Sequence, residues 1–152
     1  MLKTGNSAPL FCLNNQEGQV VCLEAFIGKK VVIFFYPLDD TPGWNKQASG
    51  FRDAYSQFAD KGVAVIGISK DSVASHKVWA EKFNLPFTLL SDSNLEAITK
   101  YGVLREYNLA PDNIVIAAAR STFVIDEKGN IEIIFENAKP DTNAQEILDY
   151  LK

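Results

Sequence analysis

Two unbroken apolar runs separated by a helical pattern constrain the fold of this chain most. The runs cover residues 31–36 and 63–68, with Ser69 ending the second predicted strand, and their continuous apolar character predicts strands that are covered on both faces. Between them, residues 42–60 carry large apolar side chains near helical spacing. Strand, helix and strand in this order predict a parallel βαβ unit with a right-handed crossover.

Weaker patterns on either side of this unit complete an α/β fold. A βαβ unit that is followed by a ββα unit is the thioredoxin-like arrangement. We therefore expect a mixed central sheet flanked by helices, with an N-terminal β-hairpin over residues 8–23, in a single domain covering 1–152. The other predicted elements are a helix over 71–83, a strand over 85–90, a short helix opened by a capping box at 93–96, a loop or insertion over 104–113, a short strand over 114–119, a hairpin over 120–135 and a last helix opened by a capping box at 142–145.

Composition and charge exclude several classes of function. Apolar residues make up 47% and charged residues 22%, and the net charge of −4 comes without a basic patch, so we expect no nucleic-acid partner. No apolar run approaches the roughly 20 residues that span a bilayer. The first residues lack the apolar segment of a signal peptide, so we expect a soluble cytoplasmic protein without a membrane partner.

The two cysteines and the single histidine argue against a metal site. Cys12 and Cys22 match no metal-binding spacing, and His76 is the only imidazole, so we expect no zinc. A symmetric hairpin register brings Cys12 close to Cys22, yet we expect two reduced, half-buried thiols rather than a disulfide. A redox-active hairpin dithiol is the alternative. We expect His76 to be a packed helix residue, because no nucleophile lies beside it in sequence.

The turn between the first central strand and its helix has the features of a reactive site. Thr41 is placed to cap the helix, and Pro42 suits the first helical position. Unpaired backbone N–H groups at such a helix start favour an anion or a thiolate. The residue in the first helical turn is Trp44, however, and an indole offers neither a nucleophile nor a titratable group.

Motifs along nearly the whole chain resemble the peroxiredoxins, and most of all the Q-type, which is also called bacterioferritin comigratory protein. The resemblance does not depend on any single motif but on their order and spacing. They include residues 35–43, 46–48, 50–53, 67–72, 85–87, 90–92, 101–103 and 120–126.

This resemblance implies an antioxidant thiol peroxidase that reduces hydrogen peroxide and organic hydroperoxides with a thioredoxin-type reductant and without a cofactor. It also implies a monomer or weak homodimer. In the family a proline, a threonine and a distant arginine surround the peroxidatic cysteine, and they correspond here to Pro37, Thr41 and Arg120. The peroxidatic cysteine position holds Trp44, and the resolving cysteine position holds Ser49.

Both sulfur positions are therefore lost, and we expect the chain as written to be a pseudoenzyme without peroxidase turnover. The indole of Trp44 is expected to fill the substrate pocket. Without a thiolate, Arg120 needs another partner, for which Asp39, Asp40 or a bound anion are the choices. If they do not pair with Arg120, we expect Asp39 and Asp40 to lie in solvent near the helix start. If these residues have only structural roles, Thr41 caps the helix and Pro37 ends the strand.

Two explanations of Trp44 stay open. The chain is either a non-catalytic binding or regulatory member of the family, or an active peroxidase whose position 44 is altered here. The tryptophan codon differs by one base from both cysteine codons and from the stop codon that specifies selenocysteine. A recoded selenocysteine that is read as tryptophan, or a deliberate substitution, therefore gives this sequence.

Overall fold

The computed structural model describes residues 2–151, which form nine strands and four α-helices. The strands are β1 (Cys12–Asn15), β2 (Val20–Cys22), β3 (Lys30–Phe35), β4 (Val63–Ser69), β5 (Thr88–Ser91), β6 (Leu104–Ala110), β7 (Asn113–Ala118), β8 (Ser121–Ile125) and β9 (Ile131–Phe135). The helices are α1 (Pro42–Asp60), α2 (Val73–Lys82), α3 (Glu96–Lys100) and α4 (Asn143–Tyr150), with a 3-10 turn at Leu23–Phe26. Among these described helices, none is both long and apolar enough to cross a membrane.

A seven-stranded mixed sheet with the order β2-β1-β5-β4-β3-β8-β9 forms the centre of the fold. The pairs β3–β4 and β4–β5 are parallel, and the remaining neighbours are antiparallel. The predicted βαβ unit is β3, α1 and β4. The expected thioredoxin-like fold, with helices on both sides of a mixed sheet, is confirmed.

Alternate residues of β3 point into two separate hydrophobic layers. Val32 and Phe34 pack with α1, α2 and α4 on one face of the sheet. Val31, Ile33 and Phe35 pack with α3 and the N-terminal hairpin on the other face. Burying each large apolar side chain contributes about 1.5–3 kcal/mol relative to leaving it in water, so these two layers hold β3 firmly at the centre.

The start of α1 is built as the sequence predicts. The Thr41 hydroxyl accepts a hydrogen bond from the Trp44 backbone N–H at 3.2 Å, and Pro42 occupies the first helical position. The cap and the proline together fix the point where the chain leaves β3 and enters the helix.

The segment predicted as a loop or insertion over 104–113 is instead a strand. It pairs with β7, and Tyr107 lies opposite Val115 in this separate two-stranded sheet. Most of β6 is exposed on both faces, so the hydrophobic alternation that identifies a half-buried strand is missing from its sequence. The predicted short strand over 114–119 is confirmed as β7.

Both predicted capping boxes are wrong. Before α3, the carboxylate of Asp92 accepts hydrogen bonds from the N–H groups of Glu96 and Ile98, each at 2.8 Å. The Thr142 hydroxyl donates to the Glu146 carboxylate at 2.6 Å and makes no cap to the backbone of α4. Competing side-chain acceptors near a helix start therefore decide which group caps it, and spacing alone does not distinguish them.

The expectation of two reduced thiols is also wrong. Cys12 and Cys22 face each other directly across the β1–β2 pair and form a disulfide with a Cα–Cα distance of 4.0 Å. The register that the hairpin turn imposes brings the two side chains to the same face, where the sulfurs meet.

Candidate functional site

An apolar cavity of about 250 Å³ lies where β3 leads into α1. The turn after β3 and the start of α1 form its inner wall, and the β6–β7 hairpin forms its outer wall. The cavity therefore brings together three of the five predicted site residues, namely Pro37, Thr41 and Arg120. Its complete lining is Pro37, Leu38, Thr41, Gly43, Tyr107, Leu109, Val115, Ala117 and Arg120.

Hydrogen bonds within the turn hold Thr41 in place. Its hydroxyl donates to the carbonyl of Leu38 at 3.3 Å while it accepts from the Trp44 N–H. The side chain is half-buried, and it faces the cavity from the first turn of α1. Thr41 thus combines the expected role of a helix cap with a position next to the cavity.

Arg120 enters the cavity wall from the residue just before β8. Its Nη1 donates to the Oε1 of Gln47 at 2.7 Å. Among the ion pairs of the described residues, none involves Arg120, so the expected pairing with Asp39 or Asp40 is wrong. Burial lowers the pKa of Arg120, and nearby tyrosines oppose that shift. A half-buried guanidinium without a carboxylate partner is free to attract an anionic or strongly polar ligand.

Gly43 makes room for this guanidinium. A Cβ atom at position 43 would lie 2.7 Å from the Nη2 of Arg120, closer than real Cβ contacts come. The missing side chain therefore lets Arg120 approach the start of α1, where the unpaired N–H groups of the helix also point.

A chain of buried polar groups orients Arg120. The Nε2 of Gln47 donates to the Oδ1 of Asn143 at 3.2 Å, and the Thr122 hydroxyl donates to the same oxygen at 2.8 Å. Gln47, Asn143 and Thr122 are all buried. Sequence reasoning missed Gln47 as a site residue, although an amide on the inward face of an amphipathic helix is the signal that reveals such a group.

Trp44 does not face the cavity. Its side chain is 0% exposed and packs in the core, with ring centroids 5.9 Å from Tyr36 and 5.5 Å from Phe83. The expectation that the indole fills the substrate pocket is therefore wrong, because the side chain points beneath the helix toward α2. The indole Nε1 is buried without a hydrogen-bond partner, an arrangement that costs about 1–3 kcal/mol.

Among residues 2–151, none that lines the cavity carries a sulfur atom. Ser49 is half-buried further along α1 and does not contribute to the lining. The only two cysteines form the disulfide of the β1–β2 hairpin, and β5 and β4 separate that hairpin from β3. The residues around the cavity can bind and polarise a ligand, but none of them is a thiol nucleophile.

A second polar cluster lies behind the turn, and it corrects the placement of Asp39. The Asp39 side chain is 2% exposed, and its carboxylate accepts from the hydroxyls of Tyr36 at 2.7 Å and Ser75 at 2.8 Å. The Nδ1 of His76 lies 2.7 Å from the same carboxylate, and its Nε2 lies 3.0 Å from the carbonyl of Leu90. His76 is thus packed in the core, as expected, whereas Asp39 is buried and only Asp40 is exposed.

The same cluster contains the one group of metal-ligand side chains found among residues 2–151. Atoms of Asp39, Asp71 and His76 lie within 4.8 Å of one another. Burial and the charge of Asp39 raise the pKa of Asp71, which accepts from Ser69 at 2.6 Å. Both nitrogens of His76 and both oxygens of Asp39 already have partners in the protein, which favours a structural network over a cation site.

Comparisons with known proteins agree on one family. The AhpC/TSA family model matches residues 4–134. A protein named peroxiredoxin bcp from Coxiella burnetii is 43% identical over 150 residues, which cover 99% of each chain. A cysteine-to-serine mutant of PrxQ from Xylella fastidiosa superposes with a TM-score of 0.92 at 28% identity, covering 99% of this chain and 96% of the other.

A further structural relative is the bacterioferritin comigratory protein of Xanthomonas campestris. It superposes with a TM-score of 0.86 at 30% identity, covering 93% of this chain and 89% of its own. That structure is described in terms of the alkyl peroxide reduction activity of the Xanthomonas protein.

Proposed function

Because the chain belongs to the AhpC/TSA family of peroxiredoxins, we propose that it binds hydroperoxides beside Arg120 and, with Trp44 in place, does not reduce them. One observation carries this proposal: the cavity contains Pro37, Thr41 and Arg120 but no thiol. Thiol peroxidases need a thiolate that attacks a peroxide oxygen and becomes a sulfenic acid. Without that nucleophile the covalent route is closed, and only ligand binding is left.

The cavity lining supports hydroperoxides as the ligand class. The Arg120 guanidinium and the Thr41 hydroxyl offer polar groups to the two peroxide oxygens. Leu38, Leu109 and Val115 offer an apolar surface for an alkyl or aryl group. This division favours an organic hydroperoxide over hydrogen peroxide, because only the organic molecule gains from burial of an apolar part. The alkyl peroxide reduction of the Xanthomonas relative is consistent with this choice.

The proposal makes the protein a binding or regulatory member of the family. A thioredoxin-type reductant acts on the oxidised sulfur of an active member, and the cavity of this chain has no sulfur to oxidise. Hydroperoxide bound beside Arg120 would therefore be held without being consumed there. Such a protein reports the presence of hydroperoxide through its bound state instead of removing it.

A second candidate follows from the fit of Trp44. Its indole N–H is buried without a partner, and Pro37, Thr41 and Arg120 line one cavity nearby. A smaller residue at this position, cysteine or selenocysteine, leaves no buried donor unpaired and makes the protein an active peroxidase. The genomic codon for position 44 separates the two candidates. An unaltered tryptophan codon rules out the second, and a cysteine codon or a recoded stop codon rules out the first.

The binding proposal is tested with tert-butyl hydroperoxide as the probe. Saturation-transfer NMR should show binding to the unmodified chain, and a peroxide assay with thioredoxin or dithiothreitol should show consumption at the buffer rate. Arg120→Met should weaken binding at least about fivefold through loss of a charge-assisted hydrogen bond, and the exposed-site control Lys46→Met should not. Peroxide consumption at a rate typical of active peroxiredoxins, or binding that is equal in both variants, contradicts the proposal.

A further inference from the structure

We propose that the Cys12–Cys22 disulfide is a redox-active site, which a dithiol reductant opens by thiol–disulfide exchange while the protein stays folded. The site is distinct from the cavity at α1. It lies in the β1–β2 hairpin at one end of the sheet, and β5 and β4 separate it from β3. The inference therefore does not rest on hydroperoxide binding or on the residue at position 44.

The disulfide is accessible to an attacking thiolate. β2 is the edge strand of the seven-stranded sheet, Cys12 is exposed and Cys22 is half-buried. Cys12 also borders a mainly polar cavity of about 280 Å³, together with Ser72 at the start of α2 and Asn94. Exchange requires the attacking sulfur to reach one sulfur of the bond, so exposure of Cys12 directs the attack to that residue.

Other interactions hold the hairpin without the disulfide. Leu13 is buried in the core and pairs with Val21, and Asn14 pairs with Ser91 of β5. The Oδ1 of Asn15 accepts from the N–H groups of Glu17 and Gln19, each at 2.9 Å, which stabilises the turn. The two cysteines are only 10 residues apart in sequence, and a short loop constrains the unfolded chain less than a long one. Reduction should therefore leave the hairpin in place.

The hairpin register also keeps the reduced thiols together. The neighbouring backbone bonds run from Leu23 N–H to Phe11 C=O at 3.0 Å and from Asn15 N–H to Gln19 C=O at 2.8 Å. Hydrogen-bonded and non-hydrogen-bonded pairs alternate along an antiparallel ladder, so Cys12 and Cys22 form a non-hydrogen-bonded pair. Side chains in such a pair lie closer together than those in a hydrogen-bonded pair. Two thiols held in this way can form the bond again by the reverse exchange with the disulfide form of the reductant, which takes up the two electrons and two protons and so makes the site a reversible couple.

The exchange balances with a dithiol reductant of the thioredoxin class. The reductant's thiolate attacks the Cys12 sulfur, a mixed disulfide forms, and Cys22 leaves as a thiolate that takes up a proton. The second thiolate of the reductant then attacks the reductant sulfur of the mixed disulfide and releases Cys12, which is also protonated. Two electrons and two protons pass to the protein, and the reductant leaves as its own disulfide.

The test uses the full chain with NADPH, thioredoxin reductase and thioredoxin, without denaturant. N-ethylmaleimide should then label two thiols per chain by intact mass, with one NADPH consumed per disulfide and an unchanged far-UV circular dichroism spectrum. If no thiol is labelled until guanidinium is added, or if the spectrum collapses on reduction, the disulfide is a structural bond and the proposal is wrong.

Two variants make the test specific. The double variant Cys12→Ser, Cys22→Ser should unfold cooperatively like the parent and consume no NADPH; a double variant that does not fold contradicts the proposal. A thioredoxin that keeps only its attacking cysteine should be trapped on the oxidised parent chain at Cys12. Trapping at Cys22 instead contradicts the direction of attack inferred from the exposure of Cys12.

Discussion

The packing of Trp44 predicts that two substitutions at that position change stability by clearly different amounts. Trp44→Phe keeps an aromatic ring between Tyr36 and Phe83 and removes the N–H that has no partner. Trp44→Ala removes the same N–H and also most of the packing. Comparison of the two variants therefore separates the cost of the unpaired donor from the gain of the buried ring.

The expected magnitudes follow from the complete burial of the indole. Removing the unpaired N–H gains about 1–3 kcal/mol, and the smaller phenyl ring loses about 1 kcal/mol to the void that it leaves. Trp44→Phe should therefore be neutral to about 2 kcal/mol more stable. Trp44→Ala loses about 3–5 kcal/mol of packing against the same gain, so it should be about 2–4 kcal/mol less stable than Trp44→Phe. At 2–4 °C per kcal/mol, the two melting temperatures should differ by roughly 10 °C.

Urea unfolding followed by far-UV circular dichroism measures these differences without relying on tryptophan fluorescence. The matched control is Trp79→Phe, because Trp79 is half-buried and its ring packs on Phe83 with a centroid distance of 6.2 Å. We expect that control to change stability by less than about 1 kcal/mol. If Trp44→Phe lowers the free energy of unfolding by more than about 1 kcal/mol, the indole N–H has a partner and the reasoning fails. A Trp44→Ala variant that is as stable as Trp44→Phe would show that the side chain is not packed in the core.

Two further predictions concern polar groups around the site. Gln47→Ala should destabilise the fold by about 3 kcal/mol in urea, because Arg120 loses its hydrogen-bond acceptor in a buried setting, whereas Lys46→Ala should stay within about 0.5 kcal/mol; equal effects would refute the network. Burial raises the pKa of Asp71, so the folded state holds that proton more tightly and its stabilising contribution is lost as pH rises through the raised pKa. The free energy of unfolding should therefore fall less as the pH rises above about 4 in Asp71→Asn than in the parent chain or in the exposed-acid control Asp60→Asn, and an unchanged slope would contradict the assignment.

The sequence was sufficient for the central unit and for the family. Residues 31–36 and 63–68 carry no polar side chain that would mark a solvent-facing side, because both faces of β3 and β4 are covered, and such an uninterrupted run shows this without any structure. The cap at Thr41 was also predictable, since a hydroxyl just before Pro42 has few other local roles. The resemblance to Q-type peroxiredoxins, drawn from motif order, is confirmed by the family match and by the structural neighbours.

Features that depend on long-range contacts were not predictable. Asp39 is buried because it contacts His76, which lies 37 positions away in the sequence. The residues next to Asp39, which include the exposed Asp40, give no sequence pattern that predicts this burial. The direction of the Trp44 side chain depends on the end of α2, which packs beneath α1. Gln47 acts through Arg120, which lies 73 positions later in the chain. The Cys12–Cys22 bond depends on a register that the sequence made plausible without showing that the sulfurs would join.

Several expectations stay predictions. They are the single domain over residues 1–152, the cytoplasmic location, the monomer or weak homodimer, and the lack of a nucleic-acid partner. The roles of Pro37, Thr41 and Arg120 toward hydroperoxide, and of positions 44 and 49 as the places of lost sulfurs, belong to the proposed function.

The central claim is that the hydroperoxide site is complete apart from its nucleophile, and Trp44→Cys tests it most directly. Position 44 lies in the first turn of α1 and follows Gly43, which is close to the Arg120 guanidinium, so we expect the helix start and that cation to lower the pKa of a cysteine introduced there and to favour the thiolate. Trp44→Ser is the matched control, since it loses the same indole without gaining sulfur. In a peroxide assay with thioredoxin or dithiothreitol, we predict that the cysteine variant consumes tert-butyl hydroperoxide and the serine variant does not. A folded cysteine variant that is no faster than the serine variant would contradict the claim.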